Sequence, residues 1–216
     1  MTKKLPLLSE PMIRNFGVAD LRAMGENEAT IEGHPAVYDQ KTSIGNYFYE
    51  VIERGAFDNC NFDDVLFSIN HDLGKIPLAR SRRNNGNSTM HLSLDEKGIY
   101  IKATLDPENN SEAKSLLSAV KRGDISGMSF IFWAEEDRWV DLDTDMPTRY
   151  ISKVKAVREV SAVNFPAYSG TDINARDQGV LDNALRALEN ARSELDNSSS
   201  ELEVLKHKNK IKGEKQ

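Results

Sequence analysis

The sequence predicts an α+β protein in which strands form most of the domain, one helix interrupts them and a helical tail follows. Short segments in which apolar and polar residues alternate recur between Arg14 and Val163. One segment with helical spacing, Ser111 to Arg122, lies among them, and leucines spaced by seven residues begin at Leu181. We therefore divide the chain into a flexible N-terminus (1–13), a folded domain (14–176) and a helical, partly disordered tail (177–216).

Composition narrows the classes of protein to which the chain can belong. Its 216 residues suffice for one well-buried domain with an appendage, or for two small domains. A formal net charge of −6 argues against general affinity for nucleic acid, and a single cysteine, Cys60, rules out an internal disulfide and a cysteine-based zinc site. No apolar run approaches the roughly 20 residues that span a bilayer. We expect a soluble cytosolic protein without cofactor or metal.

The first candidate for chemistry follows the predicted helix. Gly123 ends the helix, and Ser126-Gly127-Met128-Ser129 leads into the apolar segment Phe130 to Trp133. A hydroxyl at the edge of a buried strand, beside a glycine that lets another backbone approach, is a reasonable place for a nucleophile. The alternative is a turn serine that satisfies local backbone groups.

A second candidate lies where the apolar strand Val65 to Ile69 ends in Asn70-His71-Asp72. A histidine in this position is held by the sheet while its ring stays accessible, as a general base requires. The alternative is a capping or surface histidine. His34 lies between Gly33 and Pro35 in a strand that these two residues predict to be bulged, a setting more typical of a turn residue than of a catalytic one.

A third candidate is a carboxylate in the last predicted strand of the domain. The acidic segment between Trp133 and Pro147 is expected to form a hairpin or a mobile loop. Strand character then resumes, and alternation places Glu159 on the same face as Val157 and Ser161. A partly buried carboxylate among such neighbours needs a partner.

The tail differs from the domain in its periodicity. Leu181, Leu188, Leu195 and Leu202 form a heptad pattern, but Arg192 and a serine-rich break weaken it. The pattern predicts at best a weak coiled coil, used for partner binding or tethering. The alternative is a frayed, solvated helix.

Four motifs occur in one order along the chain. They are Glu53-x-Gly55-Ala56-Phe57, Asn70-His71-Asp72, Ile125-Ser126-Gly127-Met128-Ser129-Phe130, and Glu159-Val160-Ser161-x-Val163-x-x-Pro166-Ala167-Tyr168. In this combination the chain resembles the tailed-bacteriophage prohead proteases, capsid-maturation serine peptidases related to the herpesvirus assemblins. The resemblance covers roughly residues 14 to 176, and the tail lies outside it.

The resemblance implies a role for each candidate residue. His71 matches the general base and Ser129 the nucleophile, with Ser126 as the less favoured alternative. Glu159 falls where a third member that orients the histidine is expected, a place where the herpesvirus relatives have a second histidine. In such a set the serine attacks a peptide carbonyl, the histidine takes its proton, and the acidic group stabilises the imidazolium.

The resemblance also implies a fold and a biological setting. The fold would be a closed, mainly antiparallel β-barrel flanked by helices. The activity would be cleavage of scaffold or capsid protein, and of the protease itself, during prohead maturation in the bacterial host cytoplasm. Partners would be the major capsid protein and its scaffold segment, with self-association as an option, and neither nucleic acid nor membrane.

Two other classes stay open at this point. One is a non-catalytic capsid-assembly or scaffolding protein with a degenerate site. The other is a different esterase or amidase on a β-barrel. A hydrolase with a Gly-x-Ser-x-Gly elbow is disfavoured, because Gly127 is followed by Met128-Ser129-Phe130.

Overall fold

The computed structural model describes residues 11–16, 20–24, 29–164, 185–197 and 201. The strands are β1 (Met12–Phe16), β2 (Arg22–Ala23), β3 (Thr30–Val37), β4 (Thr42–Ile44), β5 (Phe48–Ile52), β6 (Val65–Ile69), β7 (Ala79–Ser81), β8 (Met90–Leu94), β9 (Gly98–Thr104), β10 (Gly127–Val140) and β11 (Thr148–Val163). The helices are α1 (Ser111–Arg122) and α2 (185–197). The α+β class and the strand-rich domain are therefore as the sequence predicts.

The larger sheet is built around the long hairpin of β10 and β11. Its order is β1-β10-β11-β5-β4, and β6 also pairs with β11 and with β7. Early in β11, residues 148–151 pair in parallel with β5, and late in β11, residues 159–162 pair in parallel with β6. The late half of β11 is thus held between β10 and β6, and this arrangement positions the candidate site.

The smaller sheet, with order β2-β3-β9-β8, packs against the larger one. Its register shifts between Gly33 and Ala36, which confirms the bulge expected from Gly33 and Pro35. A Cβ at Gly33 would lie 2.8 Å from the sulfur of Met128 and 3.0 Å from the Cα of Leu21, so a larger residue there would force the Met128 side chain to move. One buried apolar cluster joins residues of both sheets and α1, and includes Phe130 stacked on Phe132 at 4.6 Å between ring centroids.

The closed barrel that the resemblance implied is not what the structure shows. Within the described residues, the strand order of neither sheet returns to its first strand. The larger sheet divides at β11, and its marginal strands β4 and β7, of three residues each, pair only with β5 and β6 among the described strands. The sheets are also mixed, because β11 runs parallel to both β5 and β6.

Helix α1 has both of its ends fixed by local chemistry. The side chain of Asn110 accepts hydrogen bonds from the backbone N–H groups of Glu112 and Ala113, which caps the N-terminus. Gly123 adopts φ = 79° at the C-terminus, as predicted for the residue that ends the helix. The predicted apolar face is buried: Ala113, Leu116, Leu117 and Val120.

The segment after Trp133 forms a hairpin, one of the two forms expected for it. It continues β10 to Val140, residues 141–147 form the turn, and β11 returns antiparallel to β10. Its exposed charges are used across the hairpin, because Arg138 lies over the ring of Tyr150 at 4.0 Å and bonds to Glu53 at 2.6 Å. Side-chain pairing of this kind lets a polar strand form without a buried face.

At both ends of the domain, residues beyond the predicted boundaries pack against it. Met12 and Ile13, assigned to the flexible N-terminus, belong to β1, and Met12 is 1% exposed because β1 pairs with β10. In the tail, Leu188 is 5% exposed and packs against Phe48, so this heptad position is buried within the chain. Arg192 also donates to the carbonyl oxygens of Leu142 (3.1 Å) and Thr144 (2.9 Å). The remaining heptad leucines other than Leu195 lie outside the described residues.

Candidate active site

Three serines form a row across the larger sheet. Ser129 on β10 is paired with Ser161 on β11, and Ser161 is paired with Ser68 on β6. Side chains of directly paired residues project from the same face of a sheet, so the three hydroxyls lie side by side. Glu159, two residues before Ser161 on β11, projects from that face as well.

His71 is brought over this row by an unusual turn after β6. Asn70 and His71 both have positive φ, 50° and 57°. This conformation is uncommon for residues other than glycine, although asparagine and histidine adopt it more often than most, and it costs on the order of 1–2 kcal/mol. It is held in place because the backbone N–H of His71 donates to Ser161 Oγ at 3.0 Å, and that of Asn70 donates to the carbonyl of Ala162 at 2.9 Å. The turn aims the imidazole back across the sheet.

The imidazole joins the serine of β10 to the carboxylate of β11. His71 Nε2 lies 2.6 Å from Ser129 Oγ, and His71 Nδ1 lies 2.7 Å from Glu159 Oε2. The Ser129 hydroxyl also lies within hydrogen-bond distance of the carbonyl oxygen of Arg14 on β1, at 3.0 Å. Both Ser129 and Glu159 are buried, and 13% of the His71 side chain is exposed.

Glu159 is held by two of the three serines. The hydroxyls of Ser68 and Ser161 both donate to Glu159 Oε1, and the other oxygen, Oε2, is left to His71. A carboxylate with 2% side-chain exposure needs such donors, since burial without them would cost several kcal/mol. The bonds also fix the plane of the carboxylate, and through it the orientation of the ring.

This geometry defines the tautomer that suits a general base. An ionised carboxylate can only accept, so Nδ1 carries the proton and donates to Glu159. Nε2 then has a free lone pair that faces the Ser129 hydroxyl. The arrangement can take a proton from Ser129 and stabilise the resulting imidazolium, which is the chemistry of a serine nucleophile with an oriented base.

Comparison with known proteins gives the family of the chain. The sequence profile of the caudovirus prohead serine protease family matches residues 18–184, more than half of the chain. The chain belongs to the caudovirus prohead serine protease family. It is also 28% identical over 165 residues to the prohead protease of Enterobacteria phage HK97, across 74% of this chain and 66% of that protein. The match therefore spans slightly less than two thirds of the relative. No solved structure matches the chain, and the relation to herpesvirus assemblins stays a prediction.

The other candidates from the sequence do not join this cluster. Ser126 precedes β10, and its carbonyl oxygen accepts from the backbone of Leu21 at 3.2 Å. His34 lies between two carboxylates in another part of the fold, 2.7 Å from Asp20 and 2.9 Å from Asp95. Burial raises the pKa of the Cys60 thiol to about 12, which leaves it protonated and unreactive at neutral pH. The last part of the fourth motif, from Phe165 onward, lies outside the described residues.

Two contributors were missed by sequence reasoning. Ser68 was not singled out, although a serine in the apolar strand Val65–Ile69 is a buried polar group that needs a partner. Arg14 was missed because a charged residue near the N-terminus gives no sign that its carbonyl meets the nucleophile. Within the described residues, no group of three or more His, Cys, Asp or Glu side chains could hold a metal ion. No helix there is long and apolar enough to cross a membrane.

Proposed function

We propose that the chain is a serine endopeptidase that cleaves scaffold or capsid protein during prohead maturation. The observation that carries this proposal is the continuous contact from Ser129 through His71 to Glu159, at 2.6 and 2.7 Å. Family membership supports it independently, because the family is named for prohead serine proteases. A degenerate assembly protein would have no reason to retain a bonded set of this kind in a buried position.

The reaction follows from the positions of the three groups. Ser129 Oγ forms a bond to the peptide carbonyl carbon while its proton passes to His71 Nε2. His71 gives that proton to the leaving amine as the C–N bond breaks, and an acyl-serine remains. A water then attacks the carbonyl carbon of the ester while its proton passes to His71. As the C–O bond to Ser129 breaks, His71 returns a proton to Oγ, and the carboxylic acid product leaves. Glu159 positions the ring and stabilises its positive charge at each stage.

The substrates follow from the setting of the family. We propose that the major capsid protein, through its scaffold segment, is the main substrate, and that the protease also cleaves itself. The work would take place inside the assembling prohead in the bacterial host cytoplasm. Enclosure brings enzyme and substrate together at high effective concentration, so a modest intrinsic affinity suffices.

The test is co-expression of the intact chain with the major capsid protein of its own phage. Mass spectrometry of the assembled shells should show loss of the scaffold segment, and Ser129→Ala should leave the capsid protein at full length. Ser115→Ala is the matched control, because Ser115 is an exposed serine on α1 that bonds only within its own helix. Unchanged processing by Ser129→Ala would contradict the proposal.

A further inference from the structure

The proposed nucleophile is fully covered in this structure. Ser129 is 0% exposed, and β1 pairs with the strand that carries it, Asn15 opposite Ser129 and Arg14 opposite Phe130. A protease must admit an extended substrate beside its nucleophile, and extended peptides commonly bind by adding a strand to a sheet edge. The edge of β10 beside Ser129 is the one that β1 occupies.

The backbone of β1 presents a peptide carbonyl to the nucleophile. Ser129 Oγ lies 3.0 Å from the carbonyl oxygen of Arg14, which belongs to the peptide bond between Arg14 and Asn15. No other residue of β1 makes this contact with Ser129 in the described part of the chain. Arg14 is therefore the β1 residue whose carbonyl group lies beside the nucleophile, and a substrate strand in the same place would bring the carbonyl of its own residue there.

The side chain of Arg14 is buried in a charged pocket. Its guanidinium makes a two-pronged contact with Glu50 on β5, through Nε to Oε1 and Nη2 to Oε2, the second at 3.0 Å. Glu50 is 3% exposed and also accepts from Arg149 at 3.1 Å, and Arg149 in turn bonds to Asp137 at 2.6 Å. A planar fork facing a carboxylate is the geometry by which proteins recognise arginine specifically.

The buried carboxylate of Glu50 has both of its guanidinium partners only when a cation occupies the place of Arg14. With it, two guanidinium groups (Arg14, Arg149) face two carboxylates (Glu50, Asp137). Without it, Glu50, whose side chain is 3% exposed, would keep only Arg149, and it shares that guanidinium with the more exposed Asp137. A buried carboxylate with too few partners is costly, so the pocket favours a positively charged side chain from whatever strand lies on β10.

We propose that β1 occupies the substrate's place, and that Glu50 selects substrates with an arginine immediately before the bond that is cleaved. This inference rests on the function proposed above. A substrate strand and β1 exclude each other, so β1 leaves the edge of β10 before a substrate binds. Lysine, which cannot make the two-pronged contact, is accepted less well than arginine.

The first experiment uses the intact chain and peptides that differ in one charge. The parent peptide carries the sequence of residues 11–16, Pro-Met-Ile-Arg-Asn-Phe, between a fluorophore and a quencher. The comparison peptide has citrulline for arginine, which keeps the shape but lacks the charge. We expect cleavage after arginine with a kcat/KM at least about 100-fold above that for citrulline, because a site built for a polar partner strongly rejects an analogue that leaves it unpaired.

Glu50→Gln tests the assigned carboxylate. It should lower the rate on the arginine peptide to that on the citrulline peptide, and leave the citrulline rate within about threefold. Glu32→Gln is the matched control, a buried carboxylate that bonds to Arg22 and Tyr100 in the other sheet. If Glu50→Gln does not fold, the comparison of the two peptides on the unmodified chain still decides.

Arg14→Gln tests whether a substrate can displace β1 from the edge of β10 or whether β1 stays there permanently. Weakening the hold of β1 on Glu50 should raise the initial rate on the arginine peptide several-fold, because β1 competes with the substrate. A permanent strand predicts the reverse, a lower rate from a damaged sheet. Arg22→Gln, at an arginine on β2 with an exposed side chain, is the control and should change nothing.

The outcomes separate this inference from the proposed function. Equal cleavage of both peptides, or labelling of Ser129 by a fluorophosphonate without cleavage of either peptide, overturns the arginine pocket and leaves the protease intact. If Ser129 is not labelled and capsid protein is not processed in a Ser129-dependent way, the proposed function is overturned, and the pocket with it.

Discussion

Replacing Glu159 by glutamine exchanges one carboxylate oxygen for an NH₂ group and removes the negative charge, and it should remove most of the activity. In the structure, the hydroxyls of Ser68 and Ser161 donate to Oε1 and His71 Nδ1 faces Oε2. The amide oxygen of glutamine would stay with the two hydroxyl donors, so its NH₂ group would face Nδ1. Nδ1 would then have to accept, and the ring proton would move to Nε2, where it points at Ser129.

A histidine in that tautomer cannot take the serine proton. The corresponding change in a serine protease of another fold lowers kcat about 10⁴-fold, or about 5.5 kcal/mol of barrier. We expect a loss of about 10³- to 10⁴-fold in kcat with KM nearly unchanged, because Glu159 contacts the histidine and not the substrate. The assay is the rate of capsid-protein processing, with Glu32→Gln as the control for loss of a buried carboxylate.

A ¹H NMR measurement distinguishes the role of Glu159 in setting the His71 tautomer from a merely structural role. The proton shared by Nδ1 and Glu159 should give a strongly downfield ¹H resonance in the unmodified chain and none in Glu159→Gln, while the melting temperatures stay close. A loss smaller than about tenfold in kcat, or a retained downfield resonance, would refute the tautomer argument.

Four further outcomes are expected. Ser129→Ala should abolish processing with a stability change within about 1 kcal/mol, while Ser126→Ala stays active; the reverse pattern would move the nucleophile. His71→Ala should be as damaging as Ser129→Ala, and the double variant no worse than either, since the two act as one unit; multiplying losses would show that they act separately. Burial raises the pKa of Glu50, but its two arginine partners outweigh burial and hold that pKa below its ordinary value. The stabilisation from Glu50 is therefore complete above its unfolded pKa of about 4.3 and is lost as pH falls through its folded pKa. The free energy of unfolding should thus depend less on acid pH in Glu50→Gln than in the unmodified chain. Leu188→Ala should cost about 2 kcal/mol, seen as faster hydrogen exchange over residues 185–197 at unchanged catalytic rate; unchanged exchange would show that α2 is not docked through this side chain.

The predictions from sequence were right where short residue patterns determine the local structure. Gly123 and the apolar face of α1 follow from helix chemistry alone, and both are as predicted. Alternation placed Glu159 and Ser161 on one face of a strand, and the register of β11 with β10 and β6 agrees. The polar tip after β6 was singled out for His71 because the sheet holds a histidine there while its ring stays accessible.

The rest depends on pairings between residues far apart in the chain. No local pattern indicates that β11 pairs in parallel with β5 and then with β6, and this division is why the two sheets do not close into the expected barrel. Ser68 and Arg14 acquire their contacts in the site only through strand pairing, with partners 91 and 115 residues away. The choice between a hairpin and a mobile loop after Trp133 stayed open because the extension of β10 to Val140 is stabilised by charges across the hairpin, which alternation does not detect.

The most direct test of the central claim is covalent labelling of the intact chain by a fluorophosphonate, followed by peptide mapping. The reagent forms a stable bond only with an activated serine, so it reports on the nucleophile without assuming a substrate. We expect one adduct, on Ser129, that is lost in His71→Ala and strongly slowed in Glu159→Gln. An adduct on Ser126 or another serine, or labelling of Ser129 at the same rate in His71→Ala, would contradict it.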